Sequence, residues 1–339
     1  MVPALCVAER LRDGGDEVVF VGGERAEATL VPEAGFALRS LGAVHGLDRT
    51  SRRRAAAGAL KAVGALRTSR KILRDVRPDA VLGGGGYVAG PVGAAAVAAR
   101  IPLVLTEADS HLGLTNRLLA PFSRRVCLAF ALEGRDGERY RVTGRPVPPA
   151  VEDRAAARAR FAIPPDVRCV VVFGGSLGAL TINEAAIEGL AGAPFHVLHA
   201  SGTRDHGDLL ARVPSDGRYH LEPYVTPFGD ALAAADLAVA RSGGSIFEVC
   251  AHGLPAVLVP YPHAAADHQR TNAAWMRDGG AAVVVDDAEL SASRLRREVD
   301  ALLGDPARLE AMAAASLALA RPRAAGDVAD ELRAAAGAA

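Results

Sequence analysis

Twelve short apolar runs, most of them followed by a helical stretch, recur along the 339 residues, and this alternation constrains the fold more than any other feature. In the first half the runs are residues 17–22, 37–41, 80–83, 103–106, 125–128 and 139–142. A second series follows at 169–173, 196–200, 219–222, 237–240, 256–259 and 281–285. Strands this apolar, separated by helices, imply parallel sheets covered on both faces, hence an α/β protein of two Rossmann-like doubly wound domains. Between the two series, the segment from Gly144 to Ala150 carries three prolines and breaks the pattern. The expected organisation is a first domain over 1–145, a second over 146–322 and an Ala-rich helical tail over 323–339. Ligands of such sheets lie at the carboxyl ends of strands, and a two-domain version places the main site in the cleft between domains.

Three strand ends carry glycine-rich loops. Gly83-Gly84-Gly85-Gly86-Tyr87 follows the third run, Gly174-Gly175-Ser176-Leu177-Gly178 the seventh, and Arg241-Ser242-Gly243-Gly244-Ser245 the tenth. Glycines at a strand-to-helix turn let the backbone approach a ligand and free N–H groups to hold an anion. No lysine follows as in a Walker loop. A tight turn explains any one of these loops about as well as a ligand does, whereas three at corresponding strand ends favour a phosphate-bearing ligand. Glu248, one turn beyond the third loop, suits a ribose diol. Asp109, His111, Thr115 and Asn116 follow the fourth run, and Asp267, Gln269 and Asn272 follow the eleventh. Asp267 fits a helix cap as well as a ligand contact. Gln269 and Asn272, three apart on one helix face, suit amide contacts to sugar hydroxyls. His263 and His268 find no third ligand at metal spacing, so no metal is expected. His196 and His199 read as structural.

The 39 basic and 39 acidic residues argue against a nucleic-acid binder and against an acidic disordered chain. The zero is a cancellation: residues 1–150 carry +7 and the remainder −7. From Arg49 to Arg77 ten basic residues face a single acid, Asp75, and are interleaved with Leu60, Val63, Leu66, Ile72 and Leu73. Such a segment reads either as a helix on an anionic membrane surface or as a solvated helix face. The uncharged run from Ala80 to Ala99 is long enough to span a bilayer, but its glycines and Pro91 read as strand, loop and helix. Four scattered cysteines without C-x-x-C spacing, and no signal-peptide pattern, point to a reducing cytoplasm.

With these motifs on the page, the chain resembles MurG, the N-acetylglucosaminyltransferase family of peptidoglycan synthesis. The likeness runs through the 81–91 loop, Leu114-Thr-Asn-Arg-Leu-Leu-Ala120, Phe173-Gly-Gly-Ser-Leu-Gly-Ala179, Ala240-Arg-Ser-Gly-Gly and Ala266-Asp-His-Gln-Arg-Thr-Asn-Ala273, in the family's order. It implies a GT-B-type glycosyltransferase, inverting and independent of metal or other cofactor. The transfer would carry N-acetylglucosamine from UDP-N-acetylglucosamine to undecaprenyl-diphosphate-linked N-acetylmuramyl-pentapeptide. By position, Gly175 and Ser176 would meet the diphosphate, Val225 the uracil, Glu248 the ribose, and Gln269 and Asn272 the sugar. The amides of Gly243, Gly244 and Ser245 would stabilise the departing UDP. Gly84, Gly85, Gly86, Tyr87, Asp109, Thr115 and Asn116 would face the acceptor, and the 49–77 segment would dock peripherally on the anionic cytoplasmic face of the cell membrane.

Four departures accompany the resemblance. Thr106-Glu-Ala-Asp109 stands where the family has His-Glu-Gln-Asn, turning an amide into a carboxylate. An arginine expected after residues 144–146 is missing, leaving Arg145 as the available replacement, and the 241–248 loop is one residue short. The family's first strand and its Gly-Gly-Thr-x-Gly-His loop have no counterpart, which would open a slot in the first sheet and uncover apolar helix faces. The expectation is a start codon upstream of Met1, with a valine codon able to initiate in a GC-rich genome. Without that loop, Asp109 and His111 are the remaining general-base candidates. Other acceptors (diacylglycerol or a natural-product aglycone), a UDP-N-acetylglucosamine 2-epimerase and an inactive UDP-sugar binder stay open.

Overall fold

The computed structural model describes residues 1–42, 52–175, 178–214 and 216–337, with side chains of the third helix from residue 63 onward. The chain forms two units, Met1–Val147 joined by Arg321–Ala339, and Pro148–Ala320. In the first unit α1 (Val2–Asp13) leads to β1 (Val19–Gly22), α2 (Glu27–Glu33), β2 (Ala37–Ser40), α3 (Arg52–Val76) and β3 (Val81–Gly83). Then come α4 (Gly86–Ala98), β4 (Leu103–Glu107), α5 (Leu114–Leu119), β5 (Arg125–Leu128) and β6 (Tyr140–Val142). The second unit contains α6 (Arg154–Arg160), β7 (Cys169–Phe173), α7 (Leu180–Leu190), β8 (His196–Ala200), α8 (His206–Leu210), β9 (Tyr219–Glu222) and α9 (Phe228–Ala234). It continues with β10 (Leu237–Ala240), α10 (Ile246–Ala251), β11 (Ala256–Leu258), α11 (His268–Asp278), β12 (Ala282–Val284), α12 (Ala292–Leu303) and α13 (Pro306–Leu319). Helix α14 (Ala324–Gly337) returns to the first unit.

All twelve strands fall where the apolar runs predict them. In the second unit they make one parallel sheet, ordered β12-β11-β10-β7-β8-β9. Counted from β7, that is the 3-2-1-4-5-6 order of a dinucleotide-binding sheet, and its reversal point lies between β7 and β10. Every residue of β7 and β10 is buried, because helices cover both faces and a parallel strand there has no solvent side. Val170, Val172, Val197 and Val239 pack beneath Ile182, Ala186 and Leu190 of α7 and Leu295, Val299 and Leu302 of α12.

The first unit is also parallel throughout, but among the described residues its strands fall into two sheets, β1-β2 and β3-β4-β5-β6. The interruption lies between β1 and β3, the place of a first strand in the 3-2-1-4-5-6 order. Burial follows the pairing. Leu103, Val104 and Leu105 of β4 are 0–1% exposed, whereas Val19, Phe20 and Val21 of β1 are half-buried.

The expected uncovering of helix faces does not occur at α1. Its Cys6 and Val7 pack with Val328, Ala329 and Leu332 of α14 and with Val104 and Cys127. Each such Leu or Val contributes roughly 1.5–3 kcal/mol when fully buried. On the neighbouring turn Glu331 reaches Arg125 Nε at 2.7 Å and also pairs with Arg141. The closing segment is therefore a layer of the first unit rather than a separate tail. Its three arginines balance its three acids, so the +7/−7 division holds for the observed units.

The 49–77 segment begins outside the described residues and continues as α3. Leu73 is buried, and Leu66 and Ile72 pack against the same core as Val92 and Ala95 of α4. Leu66, Ile72 and Leu73 thus serve the core, the outward face carries Val63, Arg67, Arg70, Lys71 and Arg74, and the side chain of Leu60 lies outside the described residues. None of the described helices is long and apolar enough to cross a membrane.

Candidate donor and acceptor sites

At the reversal point of the second sheet, two loops leave the carboxyl ends of β7 and β10 side by side. The first holds Gly174 and Gly175; Ser176 and Leu177 lie outside the described residues. Its last glycine, Gly178, has φ +81°, and a Cβ there would sit 2.1 Å from the carbonyl oxygen of Ser201, so no other residue fits. The second loop is Arg241–Ser245. Among the described residues, the backbone N–H groups of Gly243, Gly244 and Ser245 donate to no backbone carbonyl, which leaves them available to an anion. Glu248 follows in the first turn of α10, half-buried.

Helix α11 braces this loop. Ser242 Oγ donates to the Gln269 carbonyl at 2.7 Å, and Asn272 Nδ2 donates to the Ser242 carbonyl at 2.9 Å. Asn272 is only 2% exposed, so its NH2 group is spent on the loop, while its Oδ1 has no partner. Gln269 Oε1 accepts from the Tyr261 amide at 3.0 Å, and its Nε2 lies 4.0 Å from the position of a Cβ on Gly243. Val225 is buried in the loop after β9, before the cis Thr226–Pro227 bond. A cavity of about 250 Å3 lined by Val225, Arg160, Phe161, His220 and Glu222 lies along β8 and β9 and shares only Val225 with the expected donor set.

Below these loops, His199 Nδ1 lies 2.9 Å from the Tyr219 hydroxyl and Nε2 lies 3.0 Å from Asn183 Oδ1. Burial holds the imidazole neutral, with its pKa lowered to about 3. Asn183 in turn donates to the Ser201 carbonyl and to Asp205. The network ties α7 to the loop after β8 and fits a structural part for His199.

In the first unit the acceptor candidates lie on two adjoining loops. Gly85 (φ +77°) and Gly86 (φ +75°) turn β3 into α4 in a conformation that favours glycine, and Tyr87 beside them is 60% exposed. Thr115 Oγ1 donates to the Gly86 carbonyl at 3.0 Å, fastening α5 to this turn. Buried Glu107 organises the second loop: its carboxylate accepts from the amides of Ala108, Asp109 and Gly113 and from Asn116 Nδ2. Asn116 also donates to the Thr106 carbonyl and is 1% exposed. Asp109 and His111 are left half-exposed on the loop so formed.

Glu107 escaped the sequence reading as a site residue, although a carboxylate ending a buried strand is unusual enough to signal a loop organiser. Leu114, Leu118 and Phe122 also escaped it. They are 46%, 63% and 66% exposed, and their i, i+4, i+8 spacing was the available signal.

Models of two domain families match this chain: the glycosyltransferase family 28 N-terminal domain over residues 1–128 and the C-terminal domain over 169–328. The chain belongs to the MurG family of glycosyltransferases, family 28. Similar members include the UDP-N-acetylglucosamine–N-acetylmuramyl-(pentapeptide) pyrophosphoryl-undecaprenol N-acetylglucosamine transferases of Moorella thermoacetica and Rubrobacter xylanophilus. The former is 41% identical, covering 94% of this chain and 91% of the relative. The latter is also 41% identical, covering 97% and 98%. Acinetobacter baumannii MurG superposes with a TM-score of 0.75 at 26% identity, over 98% of this chain and 95% of that one. The glycosyltransferase CalG4, at TM-score 0.69 and 19% identity, and a Listeria monocytogenes putative UDP-N-acetylglucosamine 2-epimerase, at 0.70 and 14%, share the fold. This family member thus has the GT-B fold, with two parallel-sheet Rossmann-like domains.

Proposed function

We infer that this MurG-family enzyme transfers N-acetylglucosamine from UDP-N-acetylglucosamine to the muramyl 4-hydroxyl of the undecaprenyl-diphosphate-linked N-acetylmuramyl-pentapeptide, in peptidoglycan synthesis. The observation that carries the reading is 41% identity to transferases of that name over nearly the whole chain. The donor loops at the β7/β10 reversal support it.

In the proposed reaction the acceptor oxygen attacks the anomeric carbon from the face opposite UDP. The bond from that carbon to the UDP oxygen breaks, and configuration inverts. The proton of the attacking hydroxyl passes to Asp109 or His111. Negative charge develops on the departing diphosphate, where the Gly243, Gly244 and Ser245 amides and the Gly175–Ser176 loop act on it. Fixed dipoles aimed at such charge lower the barrier without reorganising, so the reading assigns this task to the loop rather than to a metal. Glu248 holds the ribose hydroxyls, Val225 borders the base, and Gln269 and Asn272 Oδ1 face the sugar. Gly84–Tyr87, Asp109, Thr115 and Asn116 form the acceptor side, with Asn116 acting through the loop it braces.

The acceptor carries a lipid, and association with the cytoplasmic membrane face follows. The exposed cations of α3 meet anionic headgroups, while Leu114, Leu118 and Phe122 supply an apolar ridge flanked by exposed Arg117 and Arg124. Vesicle sedimentation checks this: binding to anionic vesicles should exceed binding to neutral ones and fall in Leu118→Ser/Phe122→Ser.

The deciding assay supplies radiolabelled UDP-N-acetylglucosamine with the lipid-linked muramyl-pentapeptide or with diacylglycerol. Label entering the muramyl lipid alone is the expected result. Label in diacylglycerol, or N-acetylmannosamine formed without acceptor, would replace the reading with another acceptor or an epimerase. Turnover in neither case, with UDP still bound, would make the chain a binder.

A further inference from the structure

Arg241 is a buried cation of the donor half, with a side chain 9% exposed. It leaves the carboxyl end of β10 and makes contacts in three directions. Its Nη1 donates to the carbonyls of Val259 and Pro260, at 3.1 and 3.2 Å, where the chain leaves β11. Its Nη2 donates to Thr181 Oγ1 at 2.8 Å, in the first turn of α7. Its Nη1 lies 2.5 Å from Asp287 Oδ1, in the turn after β12, and Thr181 Oγ1 donates to that same oxygen at 2.8 Å. The guanidinium also stands over the Tyr261 ring, 5.4 Å from its centroid.

Two of these partners, and Arg241 itself, border donor loops, while Asp287 ties the cluster to the turn after β12. Thr181 follows the Gly174–Gly178 loop, Arg241 itself begins the Ser242–Ser245 loop, and Tyr261 presents its amide to Gln269. We propose that Arg241 is a positioning residue for the nucleotide sugar: one planar guanidinium sets the spacing of the loops that follow β7, β10 and β11. The proposal rests on the donor-site reading above. A planar fork can serve partners on several sides at once, whereas a lysine ammonium on the same stem meets them only from one point. Misplaced loops would weaken donor binding first, since the loops hold the donor before any bond changes.

The test is steady-state kinetics with donor and acceptor varied separately, together with calorimetry of UDP binding. Arg241→Lys should raise the donor KM at least about tenfold, leave kcat within about threefold and leave the acceptor KM unchanged. Thr181→Val and Asp287→Asn each remove one contact and should raise the donor KM about two- to fivefold; Thr181→Val should add little in the Arg241→Lys background, because the contact is shared. These milder variants carry the test if Arg241→Lys does not fold. An unchanged donor KM in Arg241→Lys, or equal rises in donor and acceptor KM, overturns the assignment while wild type still binds UDP. Wild type that fails to bind UDP overturns the donor-site reading, and this proposal with it.

Discussion

The two units of this molecule are built from similar apolar strands, yet among the described residues those of the second form one sheet and those of the first form two. In the second unit β7 has a partner on each side and is buried throughout. In the first, β1 pairs on one side only among the described residues and stays half-buried, although Val19-Phe20-Val21 is as apolar as Val170-Val171-Val172. Strand composition alone therefore does not decide burial. A parallel strand loses its solvent face only when neighbours and covering helices are both present, and an unpaired edge keeps backbone groups in water.

Hydrogen exchange gives the sharpest contrast. Amides of Val171 and Val239 should exchange about a thousandfold more slowly than those of Phe20 and Val21, because edge strands open locally without global unfolding. Equal protection would mean that β1 is held as firmly as β7. Core truncations come next. Leu258→Ala in β11 and Leu105→Ala in β4, both fully buried, should each cost about 3–4 kcal/mol in denaturant unfolding. Phe20→Ala should cost about 1–2 kcal/mol, since the ring is only partly buried. A Phe20 cost matching Leu258 would erase the difference between the sheets.

The strand positions were legible because each is a short apolar run closed by turn residues, a local pattern. The part played by α14 was not, since an Ala-rich amphipathic helix looks the same whether it ends a chain or closes a distant sheet. The interleaved Leu66, Ile72 and Leu73 of α3 fit a membrane helix as well as a core helix until α4 is seen beneath them. At the sites, loop glycines could be read from strand-end spacing. The bracing parts of Asn116 and Asn272 could not, because an amide that contacts a sugar and one that contacts a carbonyl are the same residue in a sequence.

A smaller effect tests how α14 is fixed. Burial alone would raise the Glu331 pKa, but hydrogen bonds from Arg125 and Arg141 outweigh it and hold the carboxyl below its usual range. Glu331→Gln should destabilise the first unit by about 1–2 kcal/mol, the low end for a charged pair because both arginines reach solvent. Conversely, no loss on substitution would leave α14 fastened by apolar packing and by the contacts of Arg333 with Asp16 and the Arg10 carbonyl.

The smallest effect is on pH dependence, and it separates the units. Burial lowers the pKa of His196, His199, His220 and His252, all in the second unit. His252 is also pinned neutral, its Nε2 accepting from the Val151 amide while Nδ1 faces the Glu248 carbonyl. Lowered histidines bind protons more readily when unfolded, so their contribution is complete above pH 6.5 and is lost as pH falls below it. Glu331 has a depressed carboxyl, so its contribution is lost only below about pH 4.5. Fluorescence of Trp275, the single tryptophan and a second-unit residue, should show a falling melting temperature between pH 6.5 and 4.5. His252→Gln should flatten that slope, and an unchanged slope would remove His252 from the account.

The return of α14 to the first unit also sets an order of events during synthesis. Strands β1 to β6 leave the ribosome early, but the helix that covers α1, β4 and β5 is made only after the whole second unit. At roughly 5–20 residues per second, the partly built first unit waits on the order of 10–40 s for its last layer. During that interval its apolar surface is open to chaperones and to neighbouring nascent chains. The second unit, contiguous in sequence, can complete itself first and serve as the finished half to which a late-closing partner is joined.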